Sequence, residues 1–139
     1  MSKKDISLIL KLEREDAHRE VVKNFMMLDE QDRLNEMVMM AYADALYELE
    51  DDLAALDAYL RLVMQHAKGR TVDVALFGAA MALKNLDLQE EAFELMQLIS
   101  PQHQGLDREV EHSHKILGKQ AKAKDMLDGL KQFKRFSLN

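Results

Sequence analysis

The sequence predicts an all-α fold made of stacked helix-turn-helix repeats, and two observations support this prediction. One helix-turn-helix pattern occurs twice between Met37 and Pro101, with equivalent positions 37 residues apart. A fixed offset of this size is typical of a helical solenoid, in which each unit must stack on its neighbours to bury its apolar face. The chain also has one proline and five glycines in 139 residues, which favours a nearly all-helical protein. The alternative is an irregular helical bundle whose apolar spacing imitates a repeat.

The four predicted segments belong to one domain, because a chain of 139 residues is long enough to bury a single core of its own. Their order is an N-terminal helix at 1–28, repeat 1 at 33–67, repeat 2 at 71–101 and a degenerate repeat 3 at 107–134. Apolar residues recur at three- and four-residue steps in the first segment, while charged residues fill its opposite face. We therefore expect one amphipathic helix before the repeats.

Capping residues predict where several of these helices begin and end. Short polar side chains that satisfy free amide groups stand at the predicted N-caps: Asp5 for the first helix, Asp51 or Asp52 for the second helix of repeat 1, and Thr71 for repeat 2. Two glycines are expected to mark helix ends. Gly69 would end the second helix of repeat 1 through a positive φ, and Gly118 would separate the two helices of repeat 3.

The two clear copies resemble tetratricopeptide repeats, because the same positions carry small or bulky residues. The matched pairs are Ala43 with Ala80, Leu46 with Leu83, Ala55 with Ala92, and Tyr59 with Met96. The family places small residues where helices cross closely and bulky residues beside them. The chain departs from the family's pattern at two positions, since Met39 and Leu76 stand where the family has tryptophan. The resemblance implies a short right-handed solenoid whose first helices line a concave groove for a peptide or helix.

Charge is divided unevenly along the chain, which has a formal net charge of −6. The stretch from Leu28 to Leu62 has ten acidic and two basic residues, whereas the stretch from Lys115 to the end has seven basic and two acidic ones. We expect one acidic and one basic end, which would orient a partner or attract a second copy. The alternative is that both stretches are ordinary solvated helix surfaces. Nucleic acid is not an expected partner, since only one segment is basic and no binding motif accompanies it.

Several function classes are disfavoured by what the sequence lacks. There is no cysteine, no glycine-rich phosphate loop and no nucleophile elbow. One cluster, Glu109, Glu111, His112 and His114, has the i, i+3 spacing of some metal ligands, but successive pairs on one helix point in different directions. We interpret it as a solvated polar face. We expect no enzyme activity, no metal and no cofactor. No apolar run is long enough for a membrane span or a signal peptide, so a cytoplasmic location is the default expectation.

Methionine is frequent, with ten residues including Met1, and six more of them cluster in the first half of the chain at Met26, Met27, Met37, Met39, Met40 and Met64. Methionine side chains adapt to irregular apolar partners, although many helical methionines simply fill cores. From the repeat alignment, five residues on the first helices are candidates for contact with a bound partner: Met39, Met40, Tyr47, Phe77 and Lys84. Each could instead belong to the core, and this applies most to Phe77.

These observations favour a non-catalytic protein-binding module, a small chaperone or adaptor that holds a peptide or helix of a client protein. In size, acidity, methionine content and repeat type, the chain is similar to the helical-repeat chaperones of bacterial type III secretion. That resemblance implies a client that is held before export. The alternative is a structural assembly subunit that pairs with itself, for example as a homodimer, or with a fixed partner. An enzyme is the least favoured class.

Overall fold

A computed structural model describes residues 2–99 and 117–133. Within these residues the fold is all-α, with seven α-helices and one short 3-10 turn at Asp32–Leu34, and no strand. The helices are α1 (Ser2–Arg14), α2 (His18–Met26), α3 (Glu36–Glu48), α4 (Asp52–Gln65), α5 (Val72–Asn85), α6 (Gln89–Met96) and α7 (Leu117–Lys131). None of the helices described is long and apolar enough to cross a membrane.

The first segment is two helices rather than the single helix predicted for residues 1–28. The chain turns between α1 and α2 at Asp16, whose φ is 57°. The Ala17 amide donates a hydrogen bond of 3.0 Å to the Leu12 carbonyl and closes this turn. The N-cap prediction for Asp5 is also wrong, because α1 begins at Ser2 and Asp5 lies in its first turn. The apolar periodicity continues through the turn, so the pattern alone did not reveal it.

The turn at Asp16 recurs twice along the chain with nearly the same geometry. Among the residues described, three other than glycine have a positive φ, namely Asp16 (57°), Glu50 (65°) and Asp87 (64°). They are 34 and 37 residues apart. In each turn the next amide donates to the carbonyl five residues earlier, as Asp51 does to Leu46 at 3.0 Å and Leu88 does to Leu83 at 2.9 Å. Helices α1 and α2 therefore form the same kind of hairpin as α3–α4 and α5–α6.

Packing positions recur with the same offsets as the turns. The sites that follow the repeat alignment are buried in all three hairpins: Ile9, Ala43 and Ala80 on the first helices, and Val21, Ala55 and Ala92 on the second helices. The predicted burial of the four alanines is confirmed. The first hairpin carries isoleucine and valine where the others carry alanine. A template based on small residues therefore misses it, although its backbone follows the same path.

Helices α3 and α5 lie side by side and point in the same direction. The Glu36 carboxylate, in the first turn of α3, accepts hydrogen bonds from the Thr71 amide at 2.9 Å and the Thr71 hydroxyl at 2.6 Å. Thr71 is the N-cap residue of α5, as predicted, but its side chain binds Glu36 and makes no capping bond. These bonds lower the pKa of Glu36. They join the start of α3 to the start of α5.

The structural role of Gly69 differs from the one predicted. Its φ is not positive, and α4 ends four residues earlier at Gln65. A Cβ at residue 69 would meet the carboxylate of Glu36. The close neighbour of Gly69 is thus the flexible end of the Glu36 side chain, which a larger residue at position 69 would displace. The capping prediction for α4 is confirmed at Asp51, whose side chain accepts a bond of 3.4 Å from the Ala54 amide.

The last helix, α7, packs against α4 and forms ion pairs with α6. Ala123, Leu127 and Leu130 are fully buried in the main core. Lys124 lies 3.8 Å from Glu91, and Lys131 lies 3.3 Å from Glu94. Part of the basic segment thus faces acidic residues of the same chain. Gly118 is the second residue of α7, and the predicted first helix of repeat 3, which Gly118 would separate from the last helix, lies outside the residues described.

Candidate binding site between two parallel helices

A depression of about 260 Å³ lies between α3 and α5, and we call it the α3–α5 pocket. Its lining comes from α3, from α5 and from one aromatic residue of α4: Asp44, Tyr47, Tyr59, Val74, Phe77, Gly78 and Met81. Most of these side chains are apolar. Helices α3 and α5 are the first helices of consecutive hairpins, so the pocket lies between equivalent helices of the two hairpins.

The α5 wall of the pocket follows directly from helix periodicity. Val74, Phe77 and Met81 are separated by three and four residues, so their side chains lie in one row along the helix. Val74 is 54% exposed, and Phe77 and Met81 are half-buried. On α3, Tyr47 is half-buried and faces this row across the pocket. The result is an apolar surface that is partly accessible to solvent.

A polar pair forms the floor of the α3–α5 pocket. The Tyr59 hydroxyl donates a hydrogen bond of 2.5 Å to the Asp44 carboxylate. Burial raises the pKa of Asp44, and this effect exceeds the opposing effect of the hydrogen bond. The pKa of Tyr59 is raised as well, first by burial and then by the negative charge of Asp44. The Asp44 carboxylate therefore accepts a short hydrogen bond in an environment that disfavours its negative charge.

The surroundings of Asp44 are mostly acidic. Glu13 and Glu48 raise the pKa of Asp44 through their negative charges, while His18 lowers it. A positively charged group from outside would relieve this repulsion and give the carboxylate a second partner. The pocket thus combines apolar walls with a negative floor. That chemistry suits a ligand with an apolar side chain and a nearby basic group.

Gly78 allows Tyr59 to reach the floor. A Cβ at residue 78 would lie 2.5 Å from Cζ of the Tyr59 ring, well inside van der Waals contact. The ring consequently passes close beneath the α5 backbone, and its hydroxyl meets Asp44 on α3. Three consecutive helices contribute to one small site through this approach.

The five residues nominated from the sequence lie in different places. Tyr47 and Phe77 line the α3–α5 pocket together. Met40 is half-buried and packs against the main core without lining this pocket. Met39 is 8% exposed and faces a separate groove between α2 and α4, while Lys84 is 6% exposed. Met39 and Lys84 thus offer a partner in the α3–α5 pocket little surface, because the first faces α4 and the second lies buried at the end of α5.

Sequence reasoning missed five lining residues: Asp44, Tyr59, Val74, Gly78 and Met81. A signal for two of them was present, since Asp44 and Met81 are 37 residues apart and so occupy equivalent positions in the two copies. Asp44 also lies three residues before Tyr47, and Met81 lies four residues after Phe77. The positions that share one helix face therefore predict the lining of the pocket better than the expected exposure of single residues does.

Within the part of the chain that the structure describes, no group of three or more histidine, aspartate or glutamate side chains is arranged to hold a metal ion. The cluster from Glu109 to His114 lies outside that part. Comparisons of the chain with protein families, with curated proteins and with solved structures find no match. Inference about function therefore starts from the geometry of the site.

Proposed function

We propose that this protein is a non-catalytic binding module that holds a helix or peptide of a client protein in the α3–α5 pocket. The observation that carries the proposal is the row of accessible apolar side chains on α5 facing Tyr47 across a negative floor. Exposed apolar rows on helices favour contact with another protein, because their burial removes apolar surface from water. The ligand class is an amphipathic segment with an apolar side chain for the pocket and a lysine or arginine for Asp44.

A short solenoid of tetratricopeptide type is the architecture we propose for this module. Its support is the recurrence of one turn at Asp16, Glu50 and Asp87, together with the parallel placement of α3 and α5. Side-by-side first helices create one continuous face, on which residues of successive repeats contact the same ligand. The resemblance to type III secretion chaperones extends the proposal to a cytoplasmic chaperone that holds its client before export.

Binding of a client tests the proposal directly. Partners that co-purify with the full chain from its native host are identified by mass spectrometry, and the interaction is then measured with purified components. Val74→Glu places a charge in the apolar row at a side chain that is already 54% exposed, so the fold should tolerate it. We expect this variant to lose the client because burial of an unpaired charge is unfavourable.

Phe93→Glu is the matched control. Phe93 is an exposed aromatic residue of α6 that does not line the α3–α5 pocket, and its substitution should leave client binding unchanged. Asp44→Asn should weaken binding of a client that presents a basic group, while a client segment with that group changed to alanine should bind both forms alike. Equal binding by the Val74→Glu variant and the wild-type protein would contradict the proposal.

A further inference from the structure

A second groove, of about 410 Å³, lies between α2 and α4, away from the α3–α5 pocket, and we call it the α2–α4 groove. Its centre is apolar: Phe25 and Met26 from α2, Leu34 before α3, Met39 and Tyr42 from α3, and Ala54 and Ala58 from α4. The rings of Phe25 and Tyr42 stack with centroids 3.8 Å apart and form its floor. None of these residues belongs to the pocket that the proposed function uses.

The repeat offsets allow this groove to be compared with the equivalent position one hairpin further along. Met26 on α2 corresponds to Leu60 on α4 by the offset of 34 residues. Leu60 is 2% exposed, and it lies on the helix against which α7 packs. Met26 is 53% exposed. The hairpin α3–α4 therefore has a helix against its second helix, whereas the corresponding face of α2 has no cover in the residues described.

The α4 side of the groove supports the same comparison. Its lining residues Ala54 and Asp57 correspond by the offset of 37 residues to Glu91 and Glu94 on α6. Those two glutamates are the residues that form ion pairs with lysines of α7. The face of α4 that borders the groove is thus equivalent to the face of α6 that α7 covers. This arrangement identifies the α2–α4 groove as a surface suited to protein packing.

The charges around the groove are balanced, which is unusual for this part of the chain. The rim carries Glu30, Arg33, Asp57 and Arg61. Between Leu28 and Leu62 the sequence has ten acidic residues, and Arg33 and Arg61 are its only two basic ones. Both arginines lie at this groove. With both charges on one rim around an apolar centre, a two-fold rotation that brings two copies together can place the basic residues of one copy against the acidic residues of the other.

Both rim arginines make contacts within the chain. Arg33 donates a hydrogen bond of 2.6 Å to the Met26 carbonyl and lies over the Phe25 ring, with 5.8 Å between its Cζ and the ring centroid. Arg61 contacts Asp57 at 2.8 Å, and its side chain is 70% exposed. The contacts of Arg33 restrict its side chain before a partner arrives, so it loses less conformational entropy on binding. Arg61 can meet an acidic rim residue of a second copy while it keeps Asp57.

From this geometry we propose that two copies of the chain pair through their α2–α4 grooves, with Met26 of each copy buried against the apolar centre of the other. A second copy is the occupant that the charge balance favours, because the acidic residues Glu30 and Asp57 of one rim can meet the basic residues Arg33 and Arg61 of the other. The pairing does not depend on the α3–α5 pocket. It leaves that pocket free for a client in each copy.

Sedimentation velocity of the full chain over a wide range of concentration tests the pairing. We expect a dimer that dissociates on dilution, and Met26→Glu should raise its dissociation constant by at least about a hundredfold, because the charge would be buried without a partner. Met27→Glu is the control, since Met27 is 75% exposed and does not line the groove. Its dissociation constant should match that of the wild-type protein.

A second variant and a distance measurement cover the case in which Met26→Glu fails to fold. Arg61→Glu changes an exposed rim charge, so helical content by circular dichroism should be unchanged while pairing weakens. The chain has no cysteine, so Met26→Cys introduces a single site for a nitroxide label, and dimers should show one short distance between labels. A wild-type protein that is monomeric at every concentration would overturn the proposal. The proposal would also be overturned if Met26→Glu and Arg61→Glu both paired as tightly as the wild-type protein.

Discussion

Gly78 and the ring of Tyr59 lie in direct contact, and this contact couples α4 to α5 at the floor of the α3–α5 pocket. An added Cβ would be 2.5 Å from the ring. Gly78→Ala should therefore force the ring to move and cost about 1–3 kcal/mol through overpacking, partly offset by about 1 kcal/mol because alanine favours a helix over glycine. Chemical denaturation of the wild-type protein and the variant measures the difference in the free energy of unfolding.

Gly129 provides the matched control for this prediction. It lies inside α7, and a Cβ there would meet nothing within 4 Å. Gly129→Ala should accordingly gain helix propensity without a clash and raise the free energy of unfolding by about 0.5–1 kcal/mol. If Gly78→Ala stabilised the protein as much as Gly129→Ala, the close approach of Tyr59 to α5 would be refuted.

Apolar spacing was sufficient to predict the hairpins α3–α4 and α5–α6 because alanine marks their close crossings. Ala43, Ala55, Ala80 and Ala92 are all buried where the alignment placed them. The hairpin α1–α2 escaped prediction since Ile9 and Val21 stand at the positions where the other two hairpins carry alanine, and the aspartate at its turn, Asp16, gave no separate signal. Aspartate tolerates a left-handed conformation better than most residues, yet an aspartate alone does not predict such a conformation.

The candidate site was predicted only in part, because exposure depends on neighbours that a repeat alignment does not supply. Tyr47 and Phe77 were found since they lie on the shared face of the first helices. Met39 was assigned to that face but points to α4, where it is buried. Gly78 and Tyr59 contribute through a contact between helices, and such a contact has no signature in either helix alone.

The half-buried carboxylate of Asp44 gives a prediction for the pH dependence of stability. Its pKa in the folded protein is raised above the ordinary value of 3.8, so the folded state binds a proton more tightly than the unfolded state. Its contribution to stability is thus fully present below pH 3.8 and is lost as pH rises through the folded pKa. Asp44→Asn, which imitates the protonated form, should gain stability relative to the wild-type protein near neutral pH.

Thermal unfolding at a series of pH values measures this effect. The difference in melting temperature between Asp44→Asn and the wild-type protein should shrink as pH falls towards 3.8, because both proteins then carry a neutral group at residue 44. Asp125→Asn is the control, since Asp125 is an exposed residue of α7 that lines neither the α3–α5 pocket nor the α2–α4 groove. A constant difference at all pH values would contradict a raised pKa at Asp44.

The link between Glu36 and Thr71 should show the opposite pH dependence. Hydrogen bonds from Thr71 lower the pKa of Glu36 below its ordinary value of 4.5. Stability from this link is therefore present above pH 4.5 and is lost as pH falls through the folded pKa. Thr71→Val removes the hydroxyl donor and should lower the melting temperature near neutral pH, whereas Thr71→Ser keeps the donor and should resemble the wild-type protein. Equal melting temperatures for both variants would exclude a stabilising bond.

Substitution of the buried alanines tests the close crossings on which the repeat interpretation depends. Ala55 on α4 and Ala92 on α6 are almost completely buried. A leucine at either residue adds three carbon atoms to a filled space and should cost about 1–3 kcal/mol. Ala54→Leu is the comparison on α4, because Ala54 is half-buried at the α2–α4 groove, where a larger side chain has room to extend. Denaturant unfolding should rank Ala54→Leu as the mildest change, and a cost at Ala55 no greater than at Ala54 would mean that α3 and α4 do not cross closely at this residue.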